Sequence, residues 1–321
     1  MPKLKEAFRE VLRLHTAGDP DREEVVWTNL TKTEIAARLA QRGFKVSVNI
    51  VTQLLDDAKF HRRKLRKTLA MGSTPLRNEQ FEYIAELRAE YEAKGWPILS
   101  YDVKKKESLG PYYRPGLLYG LADVPVYDHD FLHAANGLLI PHGLYDLRRN
   151  VGHLYLGLSH DTSEFGCDNV YRWWMAYGRW YYGRAESLLL LCDGGGHNDS
   201  RHYIFKYDLQ RLANRIGIEI RVAHYPPYTS KYNPIEHRLF PHVTRACAGT
   251  SLPDLETAVQ LLRKTRTRTG LRVTVKVVDK YYATKRTCPD EFRAALPLEF
   301  DAERSSWNYR AVPQADAHLW N

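Results

Sequence analysis

The chain has 321 residues, 44% hydrophobic and 26% charged, enough apolar material for a sizeable core and a length that fits one large domain plus one small one. A formal net charge of +9 points to a polyanionic partner without separating DNA from RNA or anionic lipid. Cys167, Cys192, Cys247 and Cys288 are too scattered for a CxxC zinc or redox pair. The opening MPKLKEAFREVLRLH lacks the apolar core of a signal peptide, and no stretch approaches the ~20 apolar residues that span a bilayer. These features argue against secretion, membrane insertion and structural zinc, and imply reduced thiols in a cytosol.

A short N-terminal helix is expected to end at the breaker GDPD, Gly18 to Asp21. From Thr31 to Lys59 the pattern is two helices around a tight turn. Leu30, Ile35, Ala36 and Leu39 form one apolar stripe, Gly43 suits a left-handed cap, and Ser47 can cap a second helix carrying Val51, Leu54 and Leu55. Asn49, Thr52, Gln53 and Asp56 would face outward, which is helix-turn-helix grammar. The basic run His61, Arg62, Arg63, Lys64, Leu65, Arg66, Lys67 follows at once. It reads either as a solvated linker or as a phosphate-binding arm, and its place behind an outward-facing helix pair favours DNA contact.

Pro75 to Lys94 reads as a packing helix, with Phe81, Ile84, Leu87 and Tyr91 at helical spacing and a stop at Gly95 and Pro97. Beyond it, short apolar strands alternate with helices. Strands are expected at Ile98 to Val103, Leu138 to Leu147, His153 to Leu158, Ser187 to Cys192 and Ile218 to Ala223. Helices are expected at Asp168 to Tyr182, Arg201 to Ile216 and Pro234 to Val243. Three strands, then helix, strand, helix, strand and helix is the element order of an RNase H-like α/β domain. A late strand at Arg272 to Val278 and a Pro- and Trp-bearing tail complete the chain.

Asp102 and Asp193 each end a predicted strand, where a mixed sheet builds its sites, and Glu236 falls in the first turn of a helix entered through Asn233 and Pro234. Carboxylates gathered at strand ends suit Mg²⁺, which takes oxygen ligands and shares them with substrate phosphates. Singly, each acid also fits an ordinary role: a turn acid before Lys104, Lys105 and Lys106, the start of a glycine turn, or the acid of a capping box. Asp161, beside His160, is the main rival for a place among the three. Asp128, His129 and Asp130 read as a loop, although they could ligate a metal. Gly194 to Gly196 do not match GxGxxG, which argues against a nucleotide cofactor. Trp173, Trp174, Tyr177, Trp180 and Tyr181 recur at helical spacing and read as helix–sheet packing rather than a base-stacking platform.

The strings SYDVKKKE, HDF, PHGLYDLRRN, HDTSEF, RWW, CDGGGHNDSR, LQRLA, PPYTSKYNPIEHRLF, TRTG, ALPL and WNY occur in that order. In them the chain resembles, from Gly18 nearly to its end, the Rhodopirellula-type DDE transposases of bacterial insertion sequences, and PPYTSKYNPIEH is similar to the matching stretch of mariner-like transposases. The resemblance implies an acid triad at Asp102, Asp193 and Glu236, two Mg²⁺ or Mn²⁺ ions per site, and cleavage and joining of transposon ends by two-metal phosphoryl transfer. It further implies double-stranded DNA as partner, a homodimer or larger assembly on DNA, and a place in the bacterial cytoplasm with the nucleoid.

The expected architecture is therefore α/β: an RNase H-like mixed sheet flanked by helices, preceded by an all-α helix-turn-helix region. The segments are 1–27 (helix and linker), 28–68 (helix-turn-helix with basic arm), 69–97 (connecting helix), 98–300 (catalytic domain) and 301–321 (tail). Asn49, Thr52, Gln53, Arg62, Arg63, Lys64, Arg66, Lys67, Lys104, Lys105, Lys106, Lys231 and His237 are the expected DNA contacts. A structure-specific nuclease using the same site without strand joining, and a non-catalytic DNA-binding remnant, stay open as alternatives.

Overall fold

A computed structural model describes residues 2–19, 22–62, 76–127, 135–193 and 202–314. The chain divides into two compact units, Met1–Ala70 and Met71–Asn321.

The first unit contains helices α1 (Pro2–Leu14), α2 (Lys32–Gln41) and α3 (Val48–Asp57), with strands β1 (Thr16–Asp19) and β2 (Arg22–Thr28) paired antiparallel between α1 and α2. Leu4, Phe8, Val11 and Leu12 of α1 pack against Ile35, Leu39, Val51 and Leu54 of the helix pair. Thr31 and Glu34 close a reciprocal capping box at α2, and Ser47 accepts the Ile50 amide at α3. Gly43 sits at φ +88°, the left-handed conformation the tight turn needs. The strand pair falls in the segment expected as helix and linker. The β-branched and aromatic run VVWT favours an extended chain, and Gly18 and Asp19 of the breaker end strand β1.

The second unit is built on a nine-stranded sheet. Helix α4 (Arg77–Lys94), stopped by Gly95 at φ +74°, leads into β3 (Ile98–Val103), β4 (Glu107–Leu109), β5 (Gly137–Asp146) and β6 (Val151–Gly157). Next come α5 (Ser163–Trp173), a π-helical turn at Trp174–Gly178, the short α6 (Arg179–Tyr181), β7 (Ser187–Cys192), α7 (Tyr203–Ile216) and β8 (Glu219–His224). The chain continues with α8 (Pro234–Arg238), α9 (Phe240–Ala246), α10 (Leu255–Arg263), β9 (Arg272–Val278), α11 (Asp290–Ala295), β10 (Glu299–Phe300) and β11 (Asn308–Ala311).

The strand order is β10-β11-β8-β7-β3-β5-β6-β9, with β4 on β5. Within it, β5 runs antiparallel to both β3 and β6, while β3, β7 and β8 are parallel. That five-strand core is the RNase H-like arrangement. Both faces are covered, so the central strands are apolar on both sides. Leu99, Tyr101, Leu188 and Leu190 face α5 and α7 through Phe165, Trp173, Phe205 and Leu209. On the other face Ile98, Leu189 and Leu191 meet Ile84, Leu87 and Tyr91 of α4. Further along that face, Tyr145, Leu154 and Leu156 meet Ile235, Leu239, Phe240 and Leu262.

Three expectations are corrected. The single helix at Asp168 to Tyr182 starts earlier, at Ser163 with Thr162 capping the Phe165 amide, and its regular turn is broken by the π segment that accommodates Trp173 and Trp174. The helix expected over Pro234 to Val243 breaks at Leu239 (φ −121°, ψ −60°) into α8 and α9, with a second proline, Pro241, in the first turn of α9. The stretch read as a tail contributes β11, which pairs with the outer edge of β8, and its Asn308 exchanges amide hydrogen bonds with Gln80 of α4 at 2.7 and 3.0 Å. All four cysteines are buried and none is in a disulfide, and among the described residues no helix is long and apolar enough to cross a membrane.

Candidate active site

In the parallel pair β3 and β7, Tyr101 stands opposite Cys192, so the next residue on each strand brings Asp102 alongside Asp193 at the carboxyl ends. Side chains alternate along a strand. Asp102 therefore shares the face of Ile98 and Ser100, Asp193 that of Leu189 and Leu191, and these are the same face of the sheet. The Val103 amide donates to Asp102 Oδ1 at 2.7 Å, fixing that carboxylate at the strand end. Behind Asp193, the ring of buried His224 donates from Nδ1 to the Asp193 carbonyl at 2.9 Å, and its Nε2 meets the Tyr309 hydroxyl at 2.9 Å. The strand end carrying Asp193 is thus tied to β8 and β11.

Glu236 arrives from α8, whose start is locked onto β3 by two buried polar side chains. Ser100 Oγ accepts the Ile235 amide at 2.9 Å and donates to Asn233 Oδ1, while Asn233 Nδ2 donates to the Tyr101 carbonyl at 3.3 Å. Pro234 occupies the first turn, where its missing N–H costs nothing. No side chain caps this helix at Asn233, so Glu236 is not one half of a capping box; its carboxyl hydrogen-bonds that of Asp102 instead.

The clearance around this junction is small. A Cβ on Gly143, the residue paired with Asp102 across β3 and β5, would lie 2.7 Å from Ile235 Cδ1 and 2.7 Å from Phe240 Cε1. Gly143→Ala is expected to destabilise the fold by about 1–3 kcal/mol through overpacking. Urea unfolding would show it as a lower midpoint at unchanged slope.

Burial, then the negative charge of Asp193, and further the charge and hydrogen bond of Glu236 raise the Asp102 pKa to about 8; only the Val103 amide opposes them. Three carboxyl groups from β3, the end of β7 and α8 thus share one negative field. All the donors are hard oxygens, the ligand class of Mg²⁺ and Mn²⁺, and a cation among them would relieve the repulsion that burial amplifies. Among the described residues, no three His, Cys, Asp or Glu side chains already close around a single point. The acids meet as pairs, Asp102 with Asp193 and Asp102 with Glu236.

The rival Asp161 is half-buried in the loop after β6, and its charge reaches the Tyr101 ring, whose pKa is raised chiefly by burial. His160 Nδ1 donates to the Tyr282 carbonyl at 3.0 Å. Of the expected phosphate contacts, Lys104 has its ammonium against Glu107 with only 11% of the side chain exposed, whereas Lys105 and Lys106 are exposed. Lys231 and His237 are exposed beside Glu236 in sequence. In the first unit Asn49, Gln53 and Arg62 are exposed, while the Thr52 hydroxyl donates to the Val48 carbonyl and accepts from Lys32. Arg63, Lys64, Arg66 and Lys67, the Asp128–Asp130 triplet and the glycine run after Asp193 lie outside the described residues. In the aromatic row, Trp173 and Trp174 are buried, but Trp180 and Tyr181 are 74% and 53% exposed, so the packing reading fails for those two.

A profile described as Rhodopirellula transposase DDE domain matches residues 7–313. The chain belongs to this transposase family. No curated protein matches it. Among solved structures, this transposase-family chain is similar to the Mos1 strand transfer complex, with 13% identity over 80% of this chain and 68% of that one and a TM-score of 0.45. A pre-cleavage Mos1 transpososome aligns at 14% identity over 80% and 69%, TM-score 0.46. The Mos1 mariner paired end complex with Mn aligns at 14% over 80% and 69%, TM-score 0.44.

Proposed function

We propose that this chain cuts DNA at the ends of a transposable element and joins those ends to target DNA, with Asp102, Asp193 and Glu236 as its catalytic acids. The observation that carries the reading is the contact between Glu236 and Asp102 beside Asp193, made by three elements that meet only in the folded chain. The three carboxylates would hold two divalent cations, Mg²⁺ or Mn²⁺; when bound, such ions activate a water or a 3′-hydroxyl and stabilise the leaving oxygen of an in-line displacement.

The protein's own residues position the reacting groups. Ser100 and Asn233 fix the approach of Glu236, and His224 fixes the strand end of Asp193. Lys105, Lys106, Lys231 and His237 offer exposed donors to phosphates. Asn49 and Gln53 offer exposed amides for base edges, and Thr52 takes part after releasing its hydroxyl from Val48. The Arg62, Arg63, Lys64, Arg66 and Lys67 run supplies sequence-independent affinity, and bringing two element ends together calls for a dimer or larger assembly. On this reading the protein works on the nucleoid, in the cytoplasm.

Cleavage of a duplex carrying the element's terminal repeat is expected to require Mg²⁺ or Mn²⁺, to vanish in EDTA, and not to return with zinc, whose preferred nitrogen and sulfur ligands are absent from the donor set. Full cutting in excess EDTA would overturn the proposal.

A further inference from the structure

Two segments, PHGLYDLRRN and TRTG, contribute no acid to the site described, yet the fold brings them together. The turn between β5 and β6 carries Arg148 and Arg149. Its Asn150 donates from Nδ2 to the Thr269 carbonyl at 3.2 Å and accepts the Arg272 amide through its own carbonyl at 3.4 Å, which places the loop bearing Arg266 and Arg268 alongside. The segment after the π-helical turn joins them, because the Arg149 guanidinium lies 3.3 Å from the centre of the Tyr181 ring, and Arg179 stands 5.1 Å from that of exposed Trp180.

The side chains of Arg148, Arg149, Arg179, Arg266, Arg268 and Arg272 are all exposed. Among the described residues none of the six forms an ion pair, in contrast to Arg172, Arg286 and Lys280 between α5 and α7, which are all paired with acids. Asp146, the acid nearest in sequence to Arg148, is buried and receives the Tyr182 hydroxyl and the amides of Arg148 and Arg149. The register puts this surface at the far end of the sheet from the acids. Asp102 stands opposite Gly143, and the Arg-bearing turn begins four residues further along the chain, about 13 Å away at ~3.3 Å per residue.

Solvated guanidinium groups that repel one another without a neutralising acid form a surface suited to a polyanion, and planar forks favour phosphate oxygens. Stacking on Tyr181 restrains Arg149, so less rotamer freedom is lost on binding. We infer that this end of the catalytic unit is a second docking surface for the phosphodiester backbone of duplex DNA, separate from the acid site. DNA as the polyanion rests on the transposase reading; the surface itself does not.

The test is binding of the full chain to duplex DNA in EDTA, followed by anisotropy over a salt series, so that a protein that binds but does not cut still reports. Arg148→Gln with Arg149→Gln, and separately Arg266→Gln with Arg268→Gln, should each flatten the slope of log affinity against log salt by about two, at ~0.9 for every phosphate no longer neutralised. The four changes together should weaken binding at least 10-fold, with melting temperature unchanged. Lys276→Gln with Lys285→Gln, equally exposed cations elsewhere, should leave the slope alone. Trp180→Phe should remove part of the tryptophan fluorescence response to DNA. A slope in the fourfold variant equal to wild type would overturn the inference. So would a change confined to self-association of the free protein, which would make this face a protein interface.

Discussion

Asp102→Asn is expected to make the metal-free protein more stable while abolishing DNA cleavage. Burial and the charges of Asp193 and Glu236 raise the Asp102 pKa in the folded chain from 3.8 to about 8. A raised folded pKa contributes stability that is fully present below the unfolded value and is lost as pH rises through the folded one. Relative to a neutral amide of the same shape, the wild-type carboxyl therefore costs little at pH 4 and on the order of a few kcal/mol at pH 8. Asparagine keeps an oxygen for the Val103 amide. In EDTA at pH 8 the variant should melt several degrees above wild type, at roughly 2–4 °C per kcal/mol for a domain of this size, and the gap should close towards pH 4. Adding Mg²⁺ should raise the wild-type melting temperature far more than the variant's, because a ligand stabilises the state that binds it. A variant less stable than wild type at pH 8 in EDTA would remove the account of the acid cluster.

Asn233→Ala is expected to damage stability and cleavage together. The Asn233 side chain is fully buried, accepts from Ser100 and donates to the Tyr101 carbonyl. Its loss takes away the acceptor of the buried Ser100 hydroxyl, at about 1–3 kcal/mol for an unsatisfied group. It also loosens the start of the five-residue α8, which holds Glu236 against Asp102. A displacement of ~1 Å in a catalytic group can cost on the order of 100-fold in rate. Urea unfolding should give a loss of about 1–3 kcal/mol. Single-turnover cleavage, measured where the variant is still folded, should fall about 100-fold with DNA affinity intact. Cleavage per folded molecule equal to wild type would show that Asn233 serves stability alone.

Much of the sheet was legible, and so was the place of Asp102 and Asp193 at strand ends, because strands buried on both faces leave unbroken apolar runs such as SLLLLC, and an acid at the end of such a run stands out. The helix pair was legible through its caps, Thr31 with Glu34 and Ser47. Features that depend on register were not. Ser100 and Asn233 are 133 positions apart, and only the packing of α8 on β3 makes the polar residue in ILSYDV a positioning group. Strand β11 has four residues and no alternation strong enough to read; it exists because β8 offers an unpaired edge. Helix α10 was readable in principle, since Asp254 caps the Thr257 amide and Ala258 and Leu262 share one face. Trp180 and Tyr181 kept the helical spacing of their buried neighbours, but the π turn re-aims the short α6 so that both rings point into solvent.

The most direct test of the central claim is single-turnover cleavage of a duplex bearing the element's own terminal repeat, by Asp102→Asn, Asp193→Asn, Glu236→Gln and the rival Asp161→Asn, in Mg²⁺ at equal DNA occupancy. Each of the first three replaces an anionic ligand with a neutral amide, and because positioning and charge neutralisation supply most phosphoryl-transfer catalysis, each should cut at least ~1,000-fold more slowly than wild type. Asp161→Asn should cut within a few fold of wild type. If Glu236→Gln cuts normally while Asp161→Asn is inactive, Glu236 is not the third acid and the assignment built on its contact with Asp102 is wrong.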